Sequence, residues 1–152
     1  MMLKLSRKTL YALEAVIDIA YNARSEPVQS KEITIRQGIP QRYLEQVMQH
    51  LVRAGILKGV RGPRGGYLLA RERRRITAGE IVRVINALEN GTEPGEYETA
   101  SSIGREVVQP ILAGLYKDMM AKLDEITVDD LCAEARTKGL MRTDNDRLDF
   151  TI

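Results

Sequence analysis

Arg42, Glu45, Gln46 and Gln49 recur at helical spacing in the segment from Pro40 to Ala54. At i, i+3, i+4 and i+7 they share one face of a 3.6-residue period, and every one of them can hydrogen-bond or pair with charge. That is the chemistry of base recognition. A glutamine amide matches the N6/N7 edge of adenine, and an arginine suits guanine or a phosphate. A glutamate accepts from cytosine N4, or repels phosphate and so excludes wrong sites. A second group follows in Arg61-Gly62-Pro63-Arg64-Gly65-Gly66. Two cations on a tight glycine-rich turn suit a narrow, electronegative minor groove. Arg7 and Lys8 lie in the first turn of an N-terminal helix, where they oppose the helix dipole. A phosphate contact and plain solvated surface both account for that placement.

Other chemistries find little support. The chain has one cysteine, Cys132, and one histidine, His50, so no intrachain disulfide framework exists, as fits a reducing cytoplasm. Cys132 is expected to be buried as a small apolar residue, and His50 to be packed or phosphate-facing rather than a ligand. No metal site is expected. There is no phosphate-cradling glycine loop before a helix, no histidine cluster and no nucleophile–base pair, which argues against an enzyme.

The elements that position these groups follow from apolar periodicity. Leu44, Val47, Met48 and Leu51 form the opposite, apolar face of the Arg42–Gln49 helix, and Gly55 ends it. Ile56–Val60 and Tyr67–Ala70 then read as two strands closed by the arginine turn, with Tyr67 packing the hairpin on the core. Upstream, Ser6 caps a helix running from Arg7 to about Ala23, with Leu10, Leu13, Val16, Ile17 and Ala20 as its buried stripe. Ala12, Ala15 and Ile19 widen that stripe enough for the helix to be covered on two sides. Ser30 caps a short helix, Lys31–Gln37, that Gly38 stops. Short helix, glycine-containing turn and longer helix make a helix-turn-helix, and the hairpin adds a wing. Thr77 and Glu80 form a capping box opening a helix whose Ile81, Val84, Ile85 and Leu88 face inward.

Residues 91–103 lack periodicity and read as a flexible loop. A long helix from Gly104 to about Leu123 follows, with Val108, Ile111, Leu112, Leu115, Met119 and Leu123 apolar. One flank suits packing on the N-terminal domain, the other a second copy of the chain. A helix capped by Thr127 and Asp130 ends at Gly139, and Leu140–Ile152 forms a tail. The predicted protein is thus mainly α: a winged helix-turn-helix domain with a two-stranded wing over residues 1–90, then dimerisation helices over 104–139. Charge divides the same way. Residues 1–90 hold 16 Lys/Arg against 8 Asp/Glu, and residues 91–152 hold 7 against 13, so the first part is suited to a polyanion. From Arg53 to Arg75 there are eight cations and one acid, and the run Arg71–Arg75 adjoins the wing, where it can track a phosphate backbone. No apolar segment reads as a signal peptide or a membrane span, and a cytoplasmic location is expected.

These residues also carry a resemblance. Tyr43-Leu44-Glu45-Gln46 followed by Arg61-Gly62-Pro63-x-Gly65-Gly66-Tyr67-Leu68-Leu69 resembles the Rrf2 family of bacterial winged-helix regulators. So do Ser6-x-Lys8-x-x-Tyr11-Ala12, Thr77-x-Gly79-Glu80-Ile81 and Ile126-Thr127-Val128-x-Asp130-Leu131. The resemblance implies a homodimer on a palindromic operator, its long penultimate helices crossing at the interface. It places Tyr43, Pro63, Gly62 and Gly65 with Arg42, Glu45, Gln46, Gln49, Arg61, Arg64, Arg7 and Lys8 as candidate DNA contacts. Many members carry three cysteines before the dimer helix that hold an iron–sulfur cluster. Here Gly91–Arg105 contains neither Cys nor His, which implies no cofactor and a likeness to the cysteine-poor, CymR-like branch. That branch implies a partner enzyme of cysteine metabolism. Two other readings stay open: a redox or cluster sensor using Cys132 from each subunit, and a winged-helix protein-interaction module.

Overall fold

The computed structural model describes residues 5–23, 26–90 and 100–140. Helices α1 (Arg7–Asn22), α2 (Ser30–Gln37) and α3 (Gln41–Arg53) are followed by strands β1 (Leu57–Val60) and β2 (Gly66–Leu69), then α4 (Ala78–Asn90), α5 (Gln109–Glu125) and α6 (Val128–Thr137). The strands pair antiparallel from Leu57↔Leu69 to Val60↔Gly66. Val28 extends this pair: its N–H donates to Tyr67 O at 3.0 Å and its carbonyl accepts from Tyr67 N–H at 2.8 Å. Most of the expected loop and tail, residues 91–99 and 141–152, lie outside the described residues.

α1 packs against α2, α3, α4, α6 and β2, so its buried surface wraps most of the way round. The expected widening by Ala12, Ala15 and Ile19 is found, and Leu10 leaves the expected stripe. Ala12, Ala15, Val16 and Ile19 are fully buried while Leu10 is 49% exposed. Small residues take the central positions because several elements approach α1 closely. Ser6 does cap the helix, its Oγ accepting from Thr9 N–H at 3.2 Å.

α2 begins one residue earlier than expected. Gln29 is its cap and Ser30 its first helical residue, with the Glu32 carboxylate accepting from Gln29 N–H at 2.9 Å. Three consecutive β-branched residues make α2 a poor helix in isolation. Tertiary contacts supply the rest. Ile33 is fully buried, and the buried Asp18 of α1 accepts from Arg36 Nε at 2.9 Å, Arg36 Nη2 at 2.8 Å and Gln37 Nε2 at 2.8 Å. Gly38 then turns the chain at φ 66°. The apolar face of α3 lies inward as its spacing demands, with Leu44, Val47, Met48 and Leu51 fully buried.

The C-terminal helices are stapled to this unit. Val128 N–H donates to Ile76 O, and Ala78 N–H to Ile126 O, both at 2.8 Å. Arg83 grips Asp124 through two bonds of 2.6 and 2.7 Å. The sequence pattern groups residues 104–139 as a dimerisation unit, yet Val128 and Cys132 of α6 are fully buried in the same core as α1. α5 is preceded by a π-helical turn, Gly104–Val108, and packs on α4. Its Tyr116 hydroxyl accepts from Asn86 Nδ2 at 3.0 Å.

The Asp18 latch sets a stability prediction. Arg36→Met leaves a carboxylate with a wholly buried side chain and only Gln37 to donate. The expected cost is about 2–3 kcal/mol, below the ~3–5 kcal/mol of a wholly buried pair because the Arg36 side chain is 28% exposed. Arg83→Met, which breaks a more exposed pair, should cost less than about 1 kcal/mol. Urea melts at equal protein concentration compare the two, and equal losses would show that α2 is not held this way.

Candidate nucleic-acid interface

Burial of the α3 apolar face turns an arc of polar side chains outward: Gln41, Arg42, Glu45, Gln46 and Gln49 are all exposed. The two flanks of this arc are tied down. On the α2 side, Gln41 Nε2 donates to Glu45 Oε1 at 3.0 Å and to Ser30 Oγ at 3.2 Å, while its Oε1 accepts from Thr34 Oγ1 at 3.0 Å. On the α1 side, Arg42 Nη2 donates to Tyr43 Oη at 3.2 Å, and the half-buried Tyr43 ring leans on Tyr11. Between the flanks, Gln46 and Gln49 have no side-chain partner among the described residues. Their amides are free to meet a base edge. Sequence reasoning did not single out Gln41, and it named Tyr11 only as part of a family motif, not as a brace. Gln41 sits where a helix begins, which suggests a cap rather than a brace, whereas the i+3 spacing of Tyr11 from Lys8 was a usable signal.

The wing stands beside the same reading face. Arg61, Gly62, Gly65 and Gly66 line one cleft with Gln29, Ser30 and Lys31 at the start of α2 and with Val52 of α3. Since Ser30 also accepts from Gln41, the start of α2 joins the wing to the edge of the polar arc. Arg61, Pro63 and Arg64 are exposed, and the two arginines have no partner among the described residues. Gly62 adopts φ 109°, and a Cβ on Gly65 would collide with the Val60 carbonyl oxygen. Both glycines are therefore required for the turn to close. Arg7 is exposed and Lys8 half-buried at the start of α1.

The arginine run after the wing behaves differently from expectation. Arg71 donates to Glu80 Oε2 at 2.9 Å and to Arg75 O at 3.0 Å, and Arg73 pairs with Asp129 at 2.8 Å. These two hold the chain together and are not spare cations. Arg74 and Arg75 remain exposed without side-chain partners among the described residues.

Cys132 is fully buried. Burial pushes its thiol above the ordinary range, with the nearby Arg73 guanidinium pulling the other way. His50 is half-buried on α3. Among the described residues no group of three or more His, Cys, Asp or Glu side chains could hold a metal ion. No described helix is long and apolar enough to cross a membrane.

Comparison with known proteins decides the family. The model of Rrf2, described as an iron-dependent transcriptional regulator, matches residues 5–134. The chain belongs to the Rrf2 family. The HTH-type transcriptional regulator IscR of Pectobacterium carotovorum is 30% identical, covering 99% of this chain and 96% of that protein. Among solved structures, T. potens IscR is 36% identical with a TM-score of 0.71, covering 91% of both chains. CymR, the global cysteine regulator of B. subtilis, is 31% identical with a TM-score of 0.70, covering 86% of this chain and 97% of that one. The fold is the winged helix of this family, whose members are transcriptional regulators and not enzymes. The chain is a DNA-binding regulator of that kind. Its shape matches IscR and CymR nearly equally, and in sequence it is somewhat more identical to IscR.

An iron–sulfur cluster needs several thiolates or imidazoles converging on iron. A chain with one cysteine, buried in the core, and one histidine on another helix does not fit that donor set.

The glycine contacts supply a test of the wing. In Gly65→Ala the new methyl meets backbone oxygens of Val60 and Gly62 that cannot step aside, so the tip must reopen. Loss of one charged contact is worth about 1.5–3 kcal/mol, and affinity for a duplex should drop accordingly. The thermal midpoint should move little because the tip lies outside the core. Anisotropy titration reads the first and calorimetry the second; wild-type affinity would mean that the tip never reaches DNA.

Proposed function

We propose that the chain is a homodimeric, sequence-specific repressor that works in the cytoplasm, on a palindromic operator and without an iron–sulfur cluster. The observation that carries the dimer is the outer face of α5 and its π turn. Ile103 is 70% exposed, Ile111 60%, Val107 51%, Leu115 49% and Val108 46%. At spacings of three and four these residues form one continuous apolar stripe, a surface monomeric proteins rarely leave bare. A second copy packed antiparallel on the stripe covers both copies at once, as a two-fold interface requires. This dimer face is narrower than the apolar set in the sequence. Leu112, Met119 and Leu123 are half-buried and share a face with Tyr116, which bonds to α4.

In this reading the two α3 helices enter successive major grooves about 34–36 Å apart. Gln46 and Gln49 read base edges, each bidentate pair being worth about 1–3 kcal/mol of discrimination. Glu45, held by Gln41, screens the neighbouring position. Arg61 and Arg64 reach the minor groove, with Gly62, Pro63 and Gly65 shaping the tip. Repression follows from occupying an operator that a promoter overlaps. CymR is described as the global cysteine regulator of B. subtilis, which supports control within cysteine metabolism. A partner enzyme of that pathway is part of the proposal and rests on the family resemblance.

Ile111→Glu places a carboxylate in the centre of the stripe. The variant should sediment as a monomer where the wild type sediments as a dimer. It should also lose cooperative binding to a palindromic site selected from a randomised duplex pool. A wild type that is monomeric at micromolar concentration would sink the dimer.

The buried thiol yields a second expectation. With its pKa raised, Cys132 holds less thiolate at neutral pH than a free cysteine. Ellman's reagent should therefore react with it only after unfolding in urea. Rapid reaction of the native protein would reopen the redox-sensor reading.

A further inference from the structure

The α1-facing flank of α3 carries an arrangement that separates Arg42 from the other polar residues of the arc. Its guanidinium carbon stands 5.0 Å from the centroid of the Tyr43 ring, within cation–π reach, while Nη2 donates to Tyr43 Oη at 3.2 Å. Tyr43 in turn lies against Tyr11 of α1, the ring centroids 6.2 Å apart and the planes inclined by 31°. The guanidinium of Arg42 is thereby held at the Tyr43 ring, the residue of α3 that meets α1. One guanidinium donor is used by the tyrosine hydroxyl and the others remain available. On α1, Arg7 and Lys8 precede Tyr11 by four and three residues and so share its face. None of Arg7, Lys8 and Arg42 has a carboxylate partner among the described residues.

We propose that Tyr11 and Tyr43 form an aromatic shelf that sets Arg42 against the DNA backbone, so that Arg42, with Lys8 and Arg7, is a phosphate contact and not a base reader. The inference rests on the reading in which α3 occupies the major groove. Base edges form the floor of that groove and phosphates its rims. Side chains at the centre of the arc meet the floor; one held at the flank, beside two cations of another helix, meets the rim. Tyr11 touches no DNA in this arrangement. It is a positioning residue for Arg42.

The test uses the full chain and two DNA probes, a mixed-sequence duplex titrated over a salt series and a randomised duplex pool. Arg42→Ala should reduce the slope of log affinity against log salt by about one per subunit and leave the base preferences drawn from the pool unchanged. Tyr11→Leu should shift the slope in the same direction by less, while Tyr11→Phe, which keeps the ring, should bind as the wild type does. The Tyr11→Leu/Arg42→Ala double variant should bind like Arg42→Ala alone, since a residue acting through Arg42 has nothing left to act on. An altered preference at one position of each half-site with an unchanged slope would make Arg42 a base reader and overturn the proposal. Additive losses in the double variant would overturn the role of Tyr11. If Tyr11→Leu does not fold by circular dichroism, Tyr43→Phe, which removes only the acceptor for Arg42, must lower the slope. A wild-type slope in that variant overturns the shelf. A wild-type protein that binds neither probe at low salt overturns the DNA-groove reading itself, a result distinct from all of these.

Discussion

Everything that faces outward on α3 is decided by what faces inward. Leu44, Val47, Met48 and Leu51 are all withdrawn from water, each burial contributing about 1.5–3 kcal/mol. Together these residues leave the helix one rotational setting. A rotation by one residue would expose part of the apolar stripe and bury Arg42 or Gln46 without partners, at a cost no surface contact could offset. The polar arc therefore needs no interaction of its own to be presented. Its residues can remain uncommitted, as Gln46 and Gln49 do, because the core has already fixed their direction.

The same core fixes how the reading face is tied to the C-terminal helices. α6 contributes Val128 and Cys132 to the interior, and the main-chain pairs across Ile76–Ala78 and Ile126–Val128 act as a short sheet-like staple. Gly79 lets Asp124 approach so closely that no Cβ fits between them, and Asp124 in turn receives Arg83. The Arg83 guanidinium, bonded directly to it, holds the Asp124 carboxyl below its usual range. The base of α5 is thus rigidly joined to α4, which packs on α1 and α3. Any displacement of the outer α5 stripe must be transmitted to the reading arc or absorbed at this staple.

Sequence periodicity located α3, the hairpin and α4 because each keeps one face toward the core and the other toward water, which is what an amphipathic pattern encodes. On α1, where five elements converge, it ranked Leu10 with the central stripe and Ala12 and Ala15 only as its widening, whereas the two alanines are fully buried and Leu10 is half exposed. A moment argument weights large apolar residues, and a crowded helix selects small ones. The cap of α2 was misplaced by one residue because Ser30 is the better intrinsic cap, yet the Glu32 carboxylate closes on Gln29 instead. Asp18 was invisible to pattern reading: a lone acid in an apolar helix looks like a solvated residue until Arg36 and Gln37 arrive from another element. At the candidate site, residue types and spacing were legible for Arg42, Glu45, Gln46, Gln49 and the wing. The bracing roles of Gln41 and Tyr11 were not, since Gln41 reaches Ser30 and Thr34 of α2 and Tyr11 meets Tyr43 of α3 through contacts between helices.

Charge asymmetry along the chain has two separate consequences, which a simple count of the basic half conflates. Part of the basic surplus is consumed internally. Arg36 and Arg71 pair with acids of the N-terminal unit, while Arg73 and Arg83 take Asp129 and Asp124 from the acidic C-terminal part. Those last two pairs contribute little stability in isolation, being exposed and screened, but they match sign across the junction. Arg83 with Asp124 joins α4 to α5, and Arg73 with Asp129 joins the turn before α4 to α6. Of the cations left without a carboxylate partner among the described residues, some, such as Lys58, Arg74 and Arg75, lie on the hairpin and in the run after it, and six others gather at element ends. Arg7, Lys8, Lys31, Arg42, Arg61 and Arg64 lie at the start of α1, the start of α2, the start of α3 and the wing tip. Three helix N-termini already carry positive partial charge, so placing unpaired cations there works against folding. Such an accumulation is stabilising only when a polyanion arrives to neutralise it, and the released counterions then supply much of the binding free energy. The part of the surface that costs the free protein stability is the part that gains it in the complex.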